Sequence, residues 1–414
     1  MAPVLLPDHD TTTLRRHHVT LSHRRRPVYL DIHALQTLPY SNVNRDGLGS
    51  PKSCFYGGAQ RIRVSSQSWK RAARLVVEKQ IVAPTVRTRQ IANAVRHLLV
   101  EQGWPADDAR RAGRAMVQAY GLEPAEDDDI TSVLLWLPKT VVTDLADIAT
   151  QHREQITQLA LPELDEKGKP KKLSKDERTK REAATKTAVA AFSASVTDIL
   201  NRRSPTISLL GRMLADTPDH TVDGATQVAH AFTVHEAAPD FDYFTAVDDL
   251  SPNSGAGHLA TAEFATGTFY RYCTVNVHQL SEQLGDLDAA LGVLDAWIRA
   301  FLTVVPSGKQ NSTAPKTAPD LVHLSVRHAS CSLAAAFERA IPTSPAGYAG
   351  PARDILADYA GRIHRFLNDP GVWSGYATTG NDTPSTLGDK FESLDDITQA
   401  ACDALLDAAQ PEAA

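Results

Sequence analysis

Between residues 61 and 74 the sequence reads Arg-Ile-Arg-Val-Ser-Ser-Gln-Ser-Trp-Lys-Arg-Ala-Ala-Arg, five cations without one acid. That composition suits an anion. Arg61 and Arg63 alternate with Ile62 and Val64, so on a strand both guanidiniums share one face and both apolar side chains meet a core. Ser65 or Ser66 is placed to cap a following helix. On that helix Lys70, Arg71 and Arg74 take one side, and Trp69, Ala72, Ala73, Val76 and Val77 take the packing side. A helix start offers unpaired N–H groups and the positive end of the dipole, so phosphate among Ser65, Ser66, Gln67 and Lys70 needs no unusual geometry. Trp69 reads as core.

Two other constellations invite chemistry and support less. Asp46, Asp248 and Asp249 are the carboxylates from which a Mg²⁺-dependent nuclease would be built, but adjacent strand residues face opposite ways, so Asp248 and Asp249 converge only at a turn. His220, His230 and His235 lie near Asp219, Asp240 and Asp242 without any zinc spacing such as H-E-x-x-H. The expectation is no catalytic residue, no metal and no cofactor.

The whole chain of 414 residues has a formal net charge of -6, which conceals a polarised distribution. Residues 1–100 carry 16 Lys and Arg against 5 Asp and Glu. The remainder is acidic. A chain divided in this way can grip a polyanion with one region while the other stays solvated or meets a basic neighbour. Four scattered cysteines without a C-x-x-C pair, and no apolar run of membrane length, point to a reducing cytoplasm and no membrane.

Stepping along the chain, residues 1–26 form a flexible basic arm or a misassigned start, and Val28 opens a strand followed by a Ser/Asn/Gly/Pro loop. Helical spacing in 89–102, 107–120, 140–159 and 175–200 predicts an all-helical insertion, with a lysine-rich exposed run over 163–181. Strands are expected over 206–214, 228–235, 267–277 and 321–327, a helix over 287–305, and a protruding hairpin within 236–266. Strands at 28, 228, 267 and 321 with helices at 66 and 287 spell β-α-β-β-α-β, the ferredoxin-like order common among single-strand RNA binders. The fold class is α+β.

Leu30-Asp-Ile-His33, Asn44-Arg45-Asp46, Phe55-Tyr-Gly-Gly58, Arg63-Val-Ser-Ser-Gln-Ser-Trp-Lys-Arg71, Gly211-Arg-Met213, Tyr243-Phe-Thr-Ala-Val-Asp-Asp249, His258-Leu259 and Phe269-Tyr-Arg-Tyr272 occur in one order. Together they resemble the CasC family, the repeated backbone subunit of the type I-E CRISPR surveillance complex Cascade. The resemblance implies a ferredoxin-like (RRM-like) palm over 27–86, 205–236 and 267–340, helical fingers over 87–204, and a thumb hairpin over 237–266. A palm-associated segment and tail fill 341–414. It implies a non-catalytic scaffold that polymerises along guide RNA (crRNA) and presents it to invading DNA in antiviral defence. The implied partners are further copies of itself, the large, small, guide-end-capping and guide-processing subunits, and target DNA through the guide.

By the same resemblance Arg45, Lys52, Ser65, Gln67, Lys70 and Arg74 contact the guide backbone; the residue pattern adds Arg71, and Arg63 and Arg61, which rank below Lys70. Met213, Tyr243, Phe244, Thr245 and Leu259 form the wedge that displaces a base. Phosphate contacts fix register without reading sequence, which a repeated subunit on an arbitrary guide needs. The competing readings are a metal-dependent ribonuclease on the same fold and a free-standing RNA chaperone.

Overall fold

The computed structural model describes residues 26–163, 165, 171, 174–213, 221–247, 256–381 and 384–409. Most of the basic arm, part of the lysine-rich run, Asp219, His220, Asp248 and Asp249 lie outside them.

The chain begins with β1 (Tyr29–Ser41), whose alternation buries Leu30, Ile32 and Ala34 on one face and Asp31, His33 and Leu35 on the other. A loop leads to the hairpin β2 (Ser53–Tyr56) and β3 (Ala59–Val64). Gly57 and Gly58, at φ 58 and 76, make its two-residue turn, a conformation most side chains avoid. Helix α1 (Ser66–Gln80) starts where Ser65 leaves the strand, and Trp69, Ala73 and Val77 at helical spacing bury against the sheet.

An insertion follows: β4 (Thr85–Thr88), α2 (Ile91–Glu101), α3 (Ala106–Ala119), β5 (Leu135–Pro138), α4 (Val141–Gln151), α5 (Arg153–Thr157), α6 (Lys175–Val189) and α7 (Ser193–Asn201). It has its own core, centred on Val95, Leu99, Met116, Leu145 and Phe192. Contrary to expectation it is not all helical, because β4 and β5 pair at its neck. Two of its expected helices are each divided, the first at His152 and the second where Phe192 turns into the core.

Residues 206–210, expected as strand, are helical: α8 (Pro205–Leu210) has Ser204 accepting from Ile207 N, Pro205 at its start, and Gly211 at φ 80 ending it. The chain then returns through β6 (Thr226–Val228) and β7 (Ala231–Thr233). β8 (Asp240–Val247) and the 21-residue β9 (Ala256–Asn276) pair as a hairpin, and β9 runs on without interruption into the large sheet beside β1.

α9 (Val277–Leu284), α10 (Leu287–Thr303), α11 (Gln310–Thr313) and β10 (Leu321–Arg327) follow, β10 matching its expected bounds. The last part is structured too: α12 (Ala349–Leu367), β11 (Trp373–Thr378), β12 (Asp389–Phe391) and α13 (Leu394–Ala409). β11 and β12 extend the sheet past β10, and α13 packs Ile397, Ala401 and Leu405 into the main core. The sheet runs β12-β11-β10-β1-β9-β7-β3-β2, antiparallel except where β11 meets β12. This is a mixed α+β fold. α1, α10 and α13 cover one face and α12 the other.

The α12 face holds a buried polar spine. His33 lies between its register partners Tyr272 and His323, ring centroids 4.9 and 5.3 Å away. Tyr270 Oη accepts from Leu333 N and keeps its proton for His33 Nδ1 at 2.9 Å, while Tyr272 Oη donates to Asp31 Oδ1 at 2.9 Å. His323 Nδ1 donates to Gly375 O. Burial, with the like charge of Arg327 and His364, lowers His33 well below 6.5 and His323 to about 4.

Both histidines therefore remain neutral in the fold while the unfolded chain protonates them near pH 6.5. Their stabilisation is full above that value and is lost as pH falls toward the folded values. Asp31, raised by burial, opposes this, its contribution being complete only below the ordinary carboxylate range. With two histidines against one carboxylate, Tm is expected to fall between pH 7 and pH 5. His323→Gln should flatten that limb, and a wild-type Tm constant over the interval would refute the account.

Candidate nucleic-acid interface

The start of α1 is held by a knitted loop. Asn44 Oδ1 accepts from Ser65 N at 2.8 Å and Asn44 O from Lys52 N at 3.0 Å. Lys52 O then accepts from Arg63 N at 2.8 Å. Asp46 Oδ1 takes the N–H groups of Leu48 and Ser50 at 2.8 and 3.1 Å, closing the turn. Asn42 Nδ2 reaches Gly49 O and Glu263 O, so the same loop is tied to the base of the hairpin arm. Gly308 completes the cluster, because a Cβ there would lie 2.6 Å from Val43 O and 2.7 Å from Asn42 O. Arg45, Lys52, Ser65 and Gln67 are thus gathered at one helix start. Ser65 caps by position only, its side chain making no cap hydrogen bond.

The three cations of α1 do not form one row. Consecutive helical residues are turned about 100° apart, and the neighbours of each cation differ. Arg71 is exposed and, with Ser68, Leu75 and Lys316, lines a groove of about 520 Å³ against the 303–316 loop. Lys70 is half-buried, its pKa pushed down by that burial and further by Arg87.

Arg74 is withdrawn from solvent altogether, at 7% exposure. Its guanidinium pairs with Glu78 at 3.1 Å and donates to Thr85 Oγ1 at 2.7 Å. Glu78 also accepts from Thr85 and Thr206. The expected contact Arg74 is therefore a joint between α1, the insertion and α8. The i,i+4 acid that engages it stands just beyond the segment that looked uncompensated.

Arg61 is likewise no surface cation. It is fully buried and donates to Thr233 O, Phe337 O and Glu338 O at 2.8, 3.1 and 3.3 Å, clamping β3 to the turn Ala334–Phe337. Arg63 is half-exposed, with Nε on Ser53 O at 3.0 Å and an NH group 3.1 Å from His230 Nδ1. Burial, Arg63 and Lys52 lower the pKa of His230, which suits the neutral acceptor. His235 is a structural histidine too: Nδ1 donates to Glu236 O, Nε2 accepts from Thr268 N, and the ring stacks on Tyr348 at 3.6 Å.

Gly211-Arg212-Met213 divides its labour by residue. At Gly211, φ is 80 and a Cβ would meet Gly224 N at 2.8 Å, so glycine is required. Arg212 is buried and donates to the carbonyls of Trp136, Leu200, Asn201 and Arg202. With its neighbour anchored, Met213 stands out at 82% exposure.

On the arm, Tyr243, Phe244 and Thr245 are exposed. Tyr243 and Thr245 share one face and Phe244 the other, so the two aromatics cannot act on one ligand from the same side. Thr245 is the register partner of Leu259, whose side chain lies outside the described residues. Tyr40 stacks on Phe264 at 4.8 Å and braces the base of the arm.

One cation escaped the sequence reading. Arg87 on β4 lies over the Trp136 ring, 4.3 Å from its centroid. The alternation of Val86, Arg87 and Thr88 opposite an aromatic strand was the available signal, hidden by treating the insertion as helical.

Among the described residues no group of three or more His, Cys, Asp or Glu side chains is placed to hold a metal ion, and no helix is long and apolar enough to cross a membrane. The profile of a family described as CT1975-like protein matches residues 30–400. A chain of a "CRISPR RNA-guided surveillance complex, pre-nicking" is similar with TM-score 0.80 and 42% identity, over 91% of this chain and 99% of that one. A chain of a "CRISPR RNA-guided surveillance complex" is similar with TM-score 0.71 and 38% identity, over the same shares. No curated protein sequence matches.

Proposed function

Because the chain belongs to the CT1975-like protein family, we propose that it is a non-catalytic scaffold that binds a CRISPR guide RNA and polymerises along it as the backbone of a type I-E Cascade complex. The observation that carries this reading is the 42% identity, over 91% of the chain, with a chain of a CRISPR RNA-guided surveillance complex. The large sheet is then a ferredoxin-like palm, supported by the neighbour order β10-β1-β9 with β6 and β7 beside β9 and α1 and α10 on one face. The insertion serves as fingers and the β8–β9 hairpin as thumb.

In this scheme Arg45, Lys52, Ser65, Gln67, Lys70 and Arg71 hold guide phosphates, with Arg63 at the edge, while Arg74 fixes the angle between palm and fingers. None of these side chains reads a base, so any guide is accepted. Met213 and the thumb residues Tyr243, Thr245 and Leu259 unstack one base at a cost of about a few kcal/mol, offset by contacts to wrapped RNA. Phe244, on the other face from Tyr243, meets the neighbouring copy. The large, small, capping and processing subunits and, through the guide, target DNA complete the partners, in the cytoplasm.

The ribonuclease alternative is disfavoured because the Asp46 Oδ1 atom is engaged by Leu48 and Ser50. Expressed with a CRISPR array and its genomic neighbours, the protein is expected to co-purify with one discrete class of array-derived RNA. Random cellular RNA, or guide cleavage in Mg²⁺ that Asp46→Ala abolishes, would overturn the reading.

A further inference from the structure

Arg87 sits directly across the β4–β5 ladder from Trp136, the ring it covers. That ring is immobile: it is buried, Nε1 donates to Thr85 Oγ1 at 2.7 Å, and Arg74 packs 5.4 Å from its centroid. Glu78 is the acid of this cluster, and Arg74, Thr85 and Thr206 already engage it. Arg87 is exposed, and its pKa is lowered by partial burial and by Arg74 and Arg71, with Glu78 acting in the opposite direction. It depresses Lys70 in turn. Cations from two separate elements therefore share one junction with the single carboxylate of Glu78, which leaves it net positive and suited to a further anion.

A guanidinium held flat on an indole keeps its N–H edge free and loses little conformational freedom on binding. We propose that Arg87 binds a phosphodiester oxygen, carrying the phosphate track of α1 across the junction onto the insertion. This rests on the scaffold reading above. The strand that supplies the phosphate is the guide RNA or the DNA captured by it, two sources of one chemistry.

The test compares Arg87→Gln and Arg87→Lys in the full chain, binding single-stranded RNA, and in guide-loaded assemblies capturing complementary DNA. Arg87→Gln is expected to weaken binding about tenfold, the usual scale for a lost charge-assisted contact. It should also reduce the log–log salt slope by about 0.7, one phosphate contact, while Arg87→Lys keeps most of the slope. A loss in RNA binding places the phosphate on the guide, and a loss confined to DNA capture places it on DNA. Wild-type affinity and slope in both arms, or a lowered Tm with an unchanged slope, would overturn the inference. Lys70→Glu/Arg71→Glu is the control: if that variant keeps its RNA the scaffold reading fails, whereas if it loses RNA and Arg87→Gln behaves as wild type, only the role of Arg87 falls.

Discussion

Replacing Lys70 and Arg71 together with glutamate is expected to strip the protein of co-purifying guide RNA while leaving it folded. Arg71 is exposed and leaves the helix away from the core residues Trp69, Ala73 and Val77, whereas Lys70 is half-buried beside them, and neither is in an ion pair among the described residues. A surface change such as Arg71→Glu costs roughly 0.5 kcal/mol or less, and Lys70→Glu, at a half-buried position, about 1 kcal/mol. The charge change is instead felt at the phosphates, where two attractions become two repulsions. The milder pair Lys70→Ala/Arg71→Ala should flatten the log–log salt dependence of single-strand binding by about 1.4 per protomer, two contacts at ~0.7 each. An unchanged ultraviolet absorbance ratio in the purified glutamate variant would sink the proposed site.

Arg271→Ala should be the most destabilising single change on the sheet, by roughly 3–5 kcal/mol, the scale for emptying a large core position. Arg271 is 1% exposed and pairs with no carboxylate among the described residues. Its guanidinium lies 3.8 Å from the centroid of Trp69 and 4.6 Å from that of Phe301, and donates to Gln36 Oε1 and Phe301 O. Burial pushes its pKa down to about 9. Arg271→Met keeps most of the volume and leaves two acceptors unpaired, so it should cost about 1–3 kcal/mol. Since Trp69 seats the first turn of α1, the alanine variant should also lose RNA at a lower temperature than wild type. Denaturant titrations in which both variants unfold with the wild-type midpoint would show that the sandwich contributes nothing.

Local pattern was enough to read β1, α1 and β10. Each carries a clean period, and Trp69 at the apolar side of α1 is buried at 1% exposure. Thr206 to Leu210 misled because a short apolar run suits either strand or helix. Ser204-Pro205 before it and Gly211 after it were the deciding marks, and they are helix signals. The last seventy residues were opaque for another reason: β11 is defined by pairing with β10, some fifty positions earlier, and no local period announces that. Among the site residues, position along the chain located the helix start correctly and ranked its cations poorly. Arg74 and Arg61 have the same sequence credentials as Lys70 and Arg63. What separates them is Glu78, an i,i+4 partner already legible one turn on, and the carbonyls of Thr233, Phe337 and Glu338, visible only once the chain is folded.

β9 carries the arm and the centre of the sheet in one strand of 21 residues, about 70 Å at the usual rise. A projection joined by a flexible linker swings, and the spacing it measures varies from copy to copy. Here the projection is a cantilever whose fixed end is bonded to β1 over eleven register pairs and braced by Asn42 on Glu263. Tilting it means shearing that ladder. In the proposed row of identical subunits such a beam works as a gauge block, by which each copy would set the next at the same distance.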